Sequence, residues 1–207
     1  MKVLKFGGTS VGSVNGILSV KKIVEAENEP VIVVVSALSG ITDQLYKVSK
    51  LASMGDETYL NEYRTMLTRH IEMIENVVEE SKIEIVKEKV KLCFNDLANI
   101  LRGIFLIRDI SPKITDTIVS YGEGISSIIV ANAINDAEHF DSKSFVKTIN
   151  QFDKHIVDFE KTNQLIKQTF GKLPKVSVCG GFISTDATTD YVTNLGRGGS
   201  DYTAAIL

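Results

Sequence analysis

The run VIVVVS, Val31 to Ser36, constrains the fold more than any other stretch of this chain. Consecutive β-branched residues favour extended backbone, because two heavy atoms on Cβ crowd a helix but sit well on a pleated surface. A strand with one wet face alternates polar and apolar residues; this one does not. Both of its faces must be covered, which is the condition of a central strand in a parallel sheet with helices on either side. Upstream, KVLKF is a second short apolar strand. Between the two lies VNGILSVKKIVEAEN, where Val14, Ile17, Leu18, Ile23 and Val24 mark a helical stripe. Strand, helix, strand is a βαβ unit with a right-handed crossover.

The middle of the chain changes character. From about Asp43 to about Ile110 the pattern is helical, with stripes such as Ile71, Ile74, Val77, Val78 and then Val90, Leu97, Ile100, Leu101, Ile104. This reads as a helical excursion packed against the sheet or serving as an interface. SPKITDTIVSYGEGISSIIVANAIND continues as helix, with an interruption expected at YGEG. The βα rhythm then returns: a short strand and turn in EHFDSKSFV, a helix in FEKTNQLIKQTFG, and a strand ending in glycines in KVSVCGGFIS. TDATTDYVTNLG is polar and reads as turns, and in RGGSDYTAAIL either Ser200 or Asp201 is expected to cap a helix.

The chain has 207 residues, of which 43% are hydrophobic and 24% charged, enough for one sizeable core. A formal charge of −3, no basic stripe and no tryptophan argue against a nucleic-acid partner. No apolar run approaches the roughly 20 residues of a membrane span, and MKVLKFGG is too short for a signal peptide. Cys93 and Cys179 have no neighbours at metal spacing and read as reduced core thiols. These features describe a cytoplasmic globular protein.

Three glycine-marked stretches carry the chemistry: KFGGTS, SYGEG and LGRGGSD. Each is expected at a strand end or helix start, where open α/β sheets place their ligands. Gly7 and Gly8 leave backbone N–H groups bare beside the cation of Lys5, and Thr9 and Ser10 are placed to cap the helix that follows. Gly198 and Gly199 do the same at the start of the last helix, whose dipole favours an anion. Lysine, amides and hydroxyls together suit a phosphate. Neither the P-loop pattern nor G-x-G-x-x-G occurs, so P-loop kinases and simple dinucleotide domains are excluded.

KFGGTSV, VVVSALSGITDQL, SYGEGISS and LGRGGSDYTAA, in that order, resemble the aspartate kinases of the amino-acid kinase family. The SALSGITDQL segment and the helical middle resemble most the kinase portion of bifunctional aspartokinase–homoserine dehydrogenases. The resemblance implies a three-layer αβα sandwich around a mainly parallel sheet of about eight strands in a full domain. It also implies transfer of the ATP γ-phosphoryl group to the β-carboxylate of L-aspartate, the first step towards lysine, threonine and methionine. Mg²⁺ would be held mainly by the nucleotide, the protein itself supplying no metal site, and a homo-oligomer is expected.

The residues suit that reaction. The acceptor carboxylate has a pKa near 4 in water, so it is already an anionic nucleophile and needs no general base. His70, His139 and His155 accordingly stand in no catalytic motif. What is needed is neutralisation of the transferring group and positioning. Lys5 with the Gly7–Gly8 amides, Thr9, Gly198 and Gly199 would serve the phosphates. Glu123 and Asp201 suit the substrate ammonium, and Arg197 its α-carboxylate, helped by Ser200. By resemblance Ser36 and Thr42 also line the aspartate pocket, and Lys5 and Asp201 are the catalytic pair.

In the family, further strands and helices holding adenine and ribose follow LGRGGSD, so residues 1–207 read as an N-terminal piece of a kinase domain. Such a piece is expected to self-associate, bind ATP very weakly and turn over no substrate. Two rival readings stand beside aspartate kinase: another amino-acid kinase, and a non-catalytic amino-acid sensor that keeps the Glu123–Arg197–Asp201 pocket.

Overall fold

In the computed structural model the Val31–Val35 run is β2, and every residue in it is buried. The structure describes residues 1–151, 154–172 and 174–207. In chain order the elements are β1 (Lys2–Phe6), α1 (Gly8–Val11), α2 (Val14–Glu25), β2, α3 (Ile41–Ser53), α4 (Tyr59–Val77), α5 (Ile83–Ile107) and α6 (Pro112–Ala133). They continue with β3 (Ala137–Phe140), β4 (Lys147–Gln151), β5 (Lys154–Val157), α7 (Phe159–Thr169), β6 (Val176–Gly180), β7 (Ile183–Asp186), β8 (Val192–Asn194) and α8 (Gly199–Ile206).

The first sheet has the order β1-β2-β6-β3 and is parallel throughout. The period of two along β2 divides the core. Val31, Val33 and Val35 join the cluster formed with α2 to α6, while Ile32 and Val34 join Phe145, Phe170 and Cys179 on the other face. Leu165, Ile166 and Ala204, from α7 and α8, cover that second face. Helices on both sides of a parallel sheet are the αβα sandwich expected of β2. The helical excursion is α3, α4 and α5, packed on one another and on α6. No described helix is long and apolar enough to cross a membrane.

Several local expectations are corrected. Strands beyond the first sheet do not extend it: β5-β4-β7-β8 form a second, mixed sheet, parallel only between β4 and β7. The polar segment read as turns supplies part of β7 and all of β8, because Ser184, Thr185, Asp186 and Thr193 are buried there with hydrogen-bond partners. YGEG does not interrupt α6; Gly122 is buried in mid-helix, where an added Cβ would lie 2.9 Å from Cβ of Ala37. The glycine permits close packing rather than a turn. Thr9 and Ser10 lie inside α1, and the cap of α2 is Ser13, whose hydroxyl accepts from the Gly16 N–H. The last helix is likewise entered through left-handed Gly198, with Ser200 and Asp201 in its first turn. On α2, Ile23 is half exposed and Val20 takes its place in the buried stripe. Both cysteines are unpaired; Cys179 is buried and Cys93 half-buried.

Candidate active site

The carboxyl ends of β1 and β2, the middle of α6 and the start of α8 converge on one cavity of about 230 Å³. Its lining includes Lys5, Ser36, Thr42, Glu123, Arg197, Ser200 and Asp201, with Gly198 and Gly199 at the helix entrance. A second cavity adjoins it, lined by Gly8, Thr9 and the Ser36–Gly40 loop. Ser36, Thr42 and Glu123 border both. Gly7 flanks the lysine: a Cβ on it would lie 3.6 Å from Lys5 Nζ. The residues singled out from sequence are therefore gathered at one place.

Each arrives for a local reason. Parallel pairing of β1 with β2 sets Lys5 opposite Val34, one residue short of the strand end, so its side chain leans toward the glycine loop. Its ammonium meets Asp201 Oδ1 at 2.9 Å; the lysine is about three-quarters buried and the aspartate largely exposed. Asp201 sits in the first turn of α8, where the helix dipole favours a carboxylate. Glu123 reaches the cavity because Gly180 and Gly181 end β6 without side chains. A Cβ on Gly180 would lie 3.0 Å from Glu123 O, and one on Gly181 2.6 Å from Ser200 Cα, so α6 and α8 can both approach.

Glu123 is the electrostatic centre of the site. It is buried, and its Oε2 has no hydrogen-bond partner among the described residues. Burial pushes its carboxyl up to about 7, opposed by the backbone N–H of Ala37. An unpartnered carboxylate in a cavity is costly alone and favourable once a cation reaches it. Arg197 stands on an exposed loop between left-handed Gly196 and Gly198, with no ion pair among the described residues. The cavity thus offers a carboxylate lacking a cation, a guanidinium lacking an anion, and a lysine beside glycine amides. These are complementary to a zwitterion next to a phosphate.

The family's sequence model, described as the amino acid kinase family, matches residues 1–207. This chain belongs to the amino acid kinase family. Among similar proteins, a bifunctional aspartokinase/homoserine dehydrogenase 1 of Arabidopsis thaliana is 29% identical over 99% of this chain and 23% of its own length. Lysine-sensitive aspartokinase 3 of Escherichia coli is 27% identical over 99% of the chain and 45% of its own length. A crystal structure of E. coli aspartokinase III in complex with aspartate and ADP superposes with a TM-score of 0.87 at 25% identity, over the whole chain and 46% of that protein. The chain therefore spans less than half the length of these relatives.

One contributor to this amino acid kinase site escaped sequence reading. Asn194 accepts from the Gly196 N–H through Oδ1 at 3.0 Å and donates through Nδ2 to Asp116 Oδ1. It ties the Arg197 loop to α6, the helix that carries Glu123. Its partner lies 78 residues away in sequence, so no local pattern could have shown it.

Proposed function

We propose that the chain is the substrate- and phosphate-binding part of an aspartate kinase. The observation that carries this reading is the meeting of Lys5, Glu123, Arg197 and Asp201 in one cavity beside a glycine loop. A small amino acid with a second carboxylate fits: its ammonium neutralises Glu123, its α-carboxylate takes the guanidinium of Arg197, and Ser200 adds a hydroxyl. Ser36 and Thr42 line the remaining wall. The side-chain carboxylate is left facing Lys5 and the Gly7–Gly8 amides, where the γ-phosphoryl group of ATP would lie, with Thr9, Gly198 and Gly199 as further phosphate donors.

In the transfer, a carboxylate oxygen forms the new bond to the γ-phosphorus while the bond to the β–γ bridging oxygen breaks, and ADP leaves with that electron pair. No proton moves at neutral pH, so no general base is required. Lys5 lowers the barrier by meeting negative charge that grows on the transferring oxygens, and Asp201 holds its ammonium in place before the nucleotide arrives. Mg²⁺, held mainly by the nucleotide rather than by residues of this chain, would supply charge neutralisation at the phosphates. The test is to give the full-length protein L-aspartate and MgATP and trap the acyl phosphate with hydroxylamine. Hydroxamate formed with aspartate, and not with glutamate or N-acetylglutamate, supports the reading. Tight aspartate binding without hydroxamate would identify a sensor instead.

A further inference from the structure

One side chain of α4 reaches the loops that border the site. Arg69, on α4, is half-buried and directs its guanidinium at two loops remote from it in sequence. Nη1 donates to Ser39 O at 2.8 Å, and Nη2 donates to Gly12 O at 3.1 Å. Gly12 closes the glycine loop after β1, and Ser39 lies in the loop after β2. Both loops line the cavity bordered by Gly8, Thr9 and Glu123.

These loops are in close contact. A Cβ on Gly12 would lie 2.8 Å from Ser39 Cβ and 3.1 Å from Ser39 N, so a side chain there would push the two loops apart. Each loop offers one carbonyl oxygen to the same guanidinium. A guanidinium supplies two divergent N–H groups in a rigid plane, whereas an ammonium supplies one point of charge.

We propose that Arg69 is a positioning residue that locks the loops after β1 and β2 in register, so that the Gly7–Gly8 amides and Ser36 face the same ligand. It touches no substrate. Its partners are main-chain oxygens, so the brace works whatever side chains the loops carry. On this view the α3–α5 layer holds the phosphate cradle to the substrate wall as well as covering the sheet.

The test pairs amide hydrogen exchange with steady-state kinetics on full-length Arg69→Met and Arg69→Lys. Arg64→Met, an exposed site on the same helix, serves as the charge control. The kinetic arm rests on the aspartate kinase reading; the exchange arm does not. In Arg69→Met, amides of Gly8–Gly12 and Leu38–Gly40 should exchange at least about tenfold faster, since two charge-assisted bonds are lost. Amides of β2 and β6 should keep their protection. Turnover should fall about ten- to hundredfold while the aspartate KM moves less than about threefold, a split that general destabilisation does not produce. Arg69→Lys should fall between, and Arg64→Met should match wild type. If Arg69→Met does not fold, Arg69→Lys decides on the same readouts. Wild-type loop exchange in a folded Arg69 variant overturns the proposal, as does loosening of β2 and β6 together with the loops. If the wild type makes no acyl phosphate, the kinase reading fails and the exchange arm still decides the brace.

Discussion

In the first sheet the central strand β2 buries only aliphatic side chains, whereas buried positions of β7 and β8 in the second include Ser184, Thr185, Asp186 and Thr193. The aliphatic strand is held by area, which has no direction. The polar strands are held by directed bonds. Thr193 Oγ1 lies 2.8 Å from both Thr148 Oγ1 and Ser184 Oγ, and Lys147 Nζ meets Thr185 Oγ1 at 2.8 Å and Asp190 Oδ1 at 3.0 Å. Each sheet delivers a different part of the site: the first carries Lys5 and the glycine loop, and the second runs through β8 into the Arg197 loop. A parallel apolar sheet gives a rigid platform for Lys5 and the glycine loop, the proposed phosphate side. A hydrogen-bonded sheet fixes where the exposed Arg197 loop, the proposed substrate side, stands.

The largest effect should come from separating those roles. Lys5→Ala is expected to lower turnover several hundred-fold, about 3–4 kcal/mol for one preorganised charge, with aspartate binding nearly unchanged. Arg197→Ala should instead raise the aspartate KM about ten- to hundredfold, because it removes charge-assisted bonds made in ground and transition state alike. If Lys5→Ala weakens aspartate binding and spares turnover, the division between the sheets collapses.

Glu123, on the helix between the sheets, gives the next effect. Its folded value is raised from 4.5 to about 7. Between those values the folded protein holds a proton that the unfolded chain has released, so stability of the empty protein falls as pH rises through that window. The drop is at most about 3 kcal/mol. Thermal melts at pH 5 and pH 8 should show it, and Glu123→Gln should flatten the dependence. Aspartate affinity should rise with pH over the same window in the wild type alone, since the substrate ammonium favours the ionised carboxylate.

The smallest change probes the second sheet itself. Thr193→Val keeps the shape of the side chain but removes the hydroxyl shared by Thr148 and Ser184, and should cost about 1–3 kcal/mol. Calorimetry gives the stability. A rise in aspartate KM beside it would show that the hydroxyl network also sets the Arg197 loop; an unchanged KM would confine it to folding.

The same contrast explains what could be read in advance. The first βαβ unit and the α3–α5 excursion were legible because β2 is an unbroken β-branched run, buried throughout, and because burial along the helices follows a period near four. The second sheet was not, since residues such as Thr185 and Asp186 look like loop residues until their partners are known. Gly122 and Gly124 looked like a break because glycine as a turn former and glycine as a packing contact are the same letter. That the proposed site residues belong together could be suggested in advance by the resemblance of their motifs; Arg69 and Asn194 could not, because the partners that matter lie far away in sequence, on two loops for Arg69 and on α6 for Asn194.

The pairing of Lys5 with Asp201 has a consequence for how the molecule comes into being. The cation is laid down in the first strand and its anion in the last helix. A chain emerging from the ribosome can form β1, α2 and α3 early, yet the lysine must wait for nearly all of the described residues before its partner exists. Contacts of such sequence separation form late, after loop closure has been met elsewhere. Pairing of these two residues therefore reports that the described residues from β1 to α8 have folded together, and a stalled or clipped product without α8 carries the glycine loop but leaves Lys5 lacking the Asp201 carboxylate.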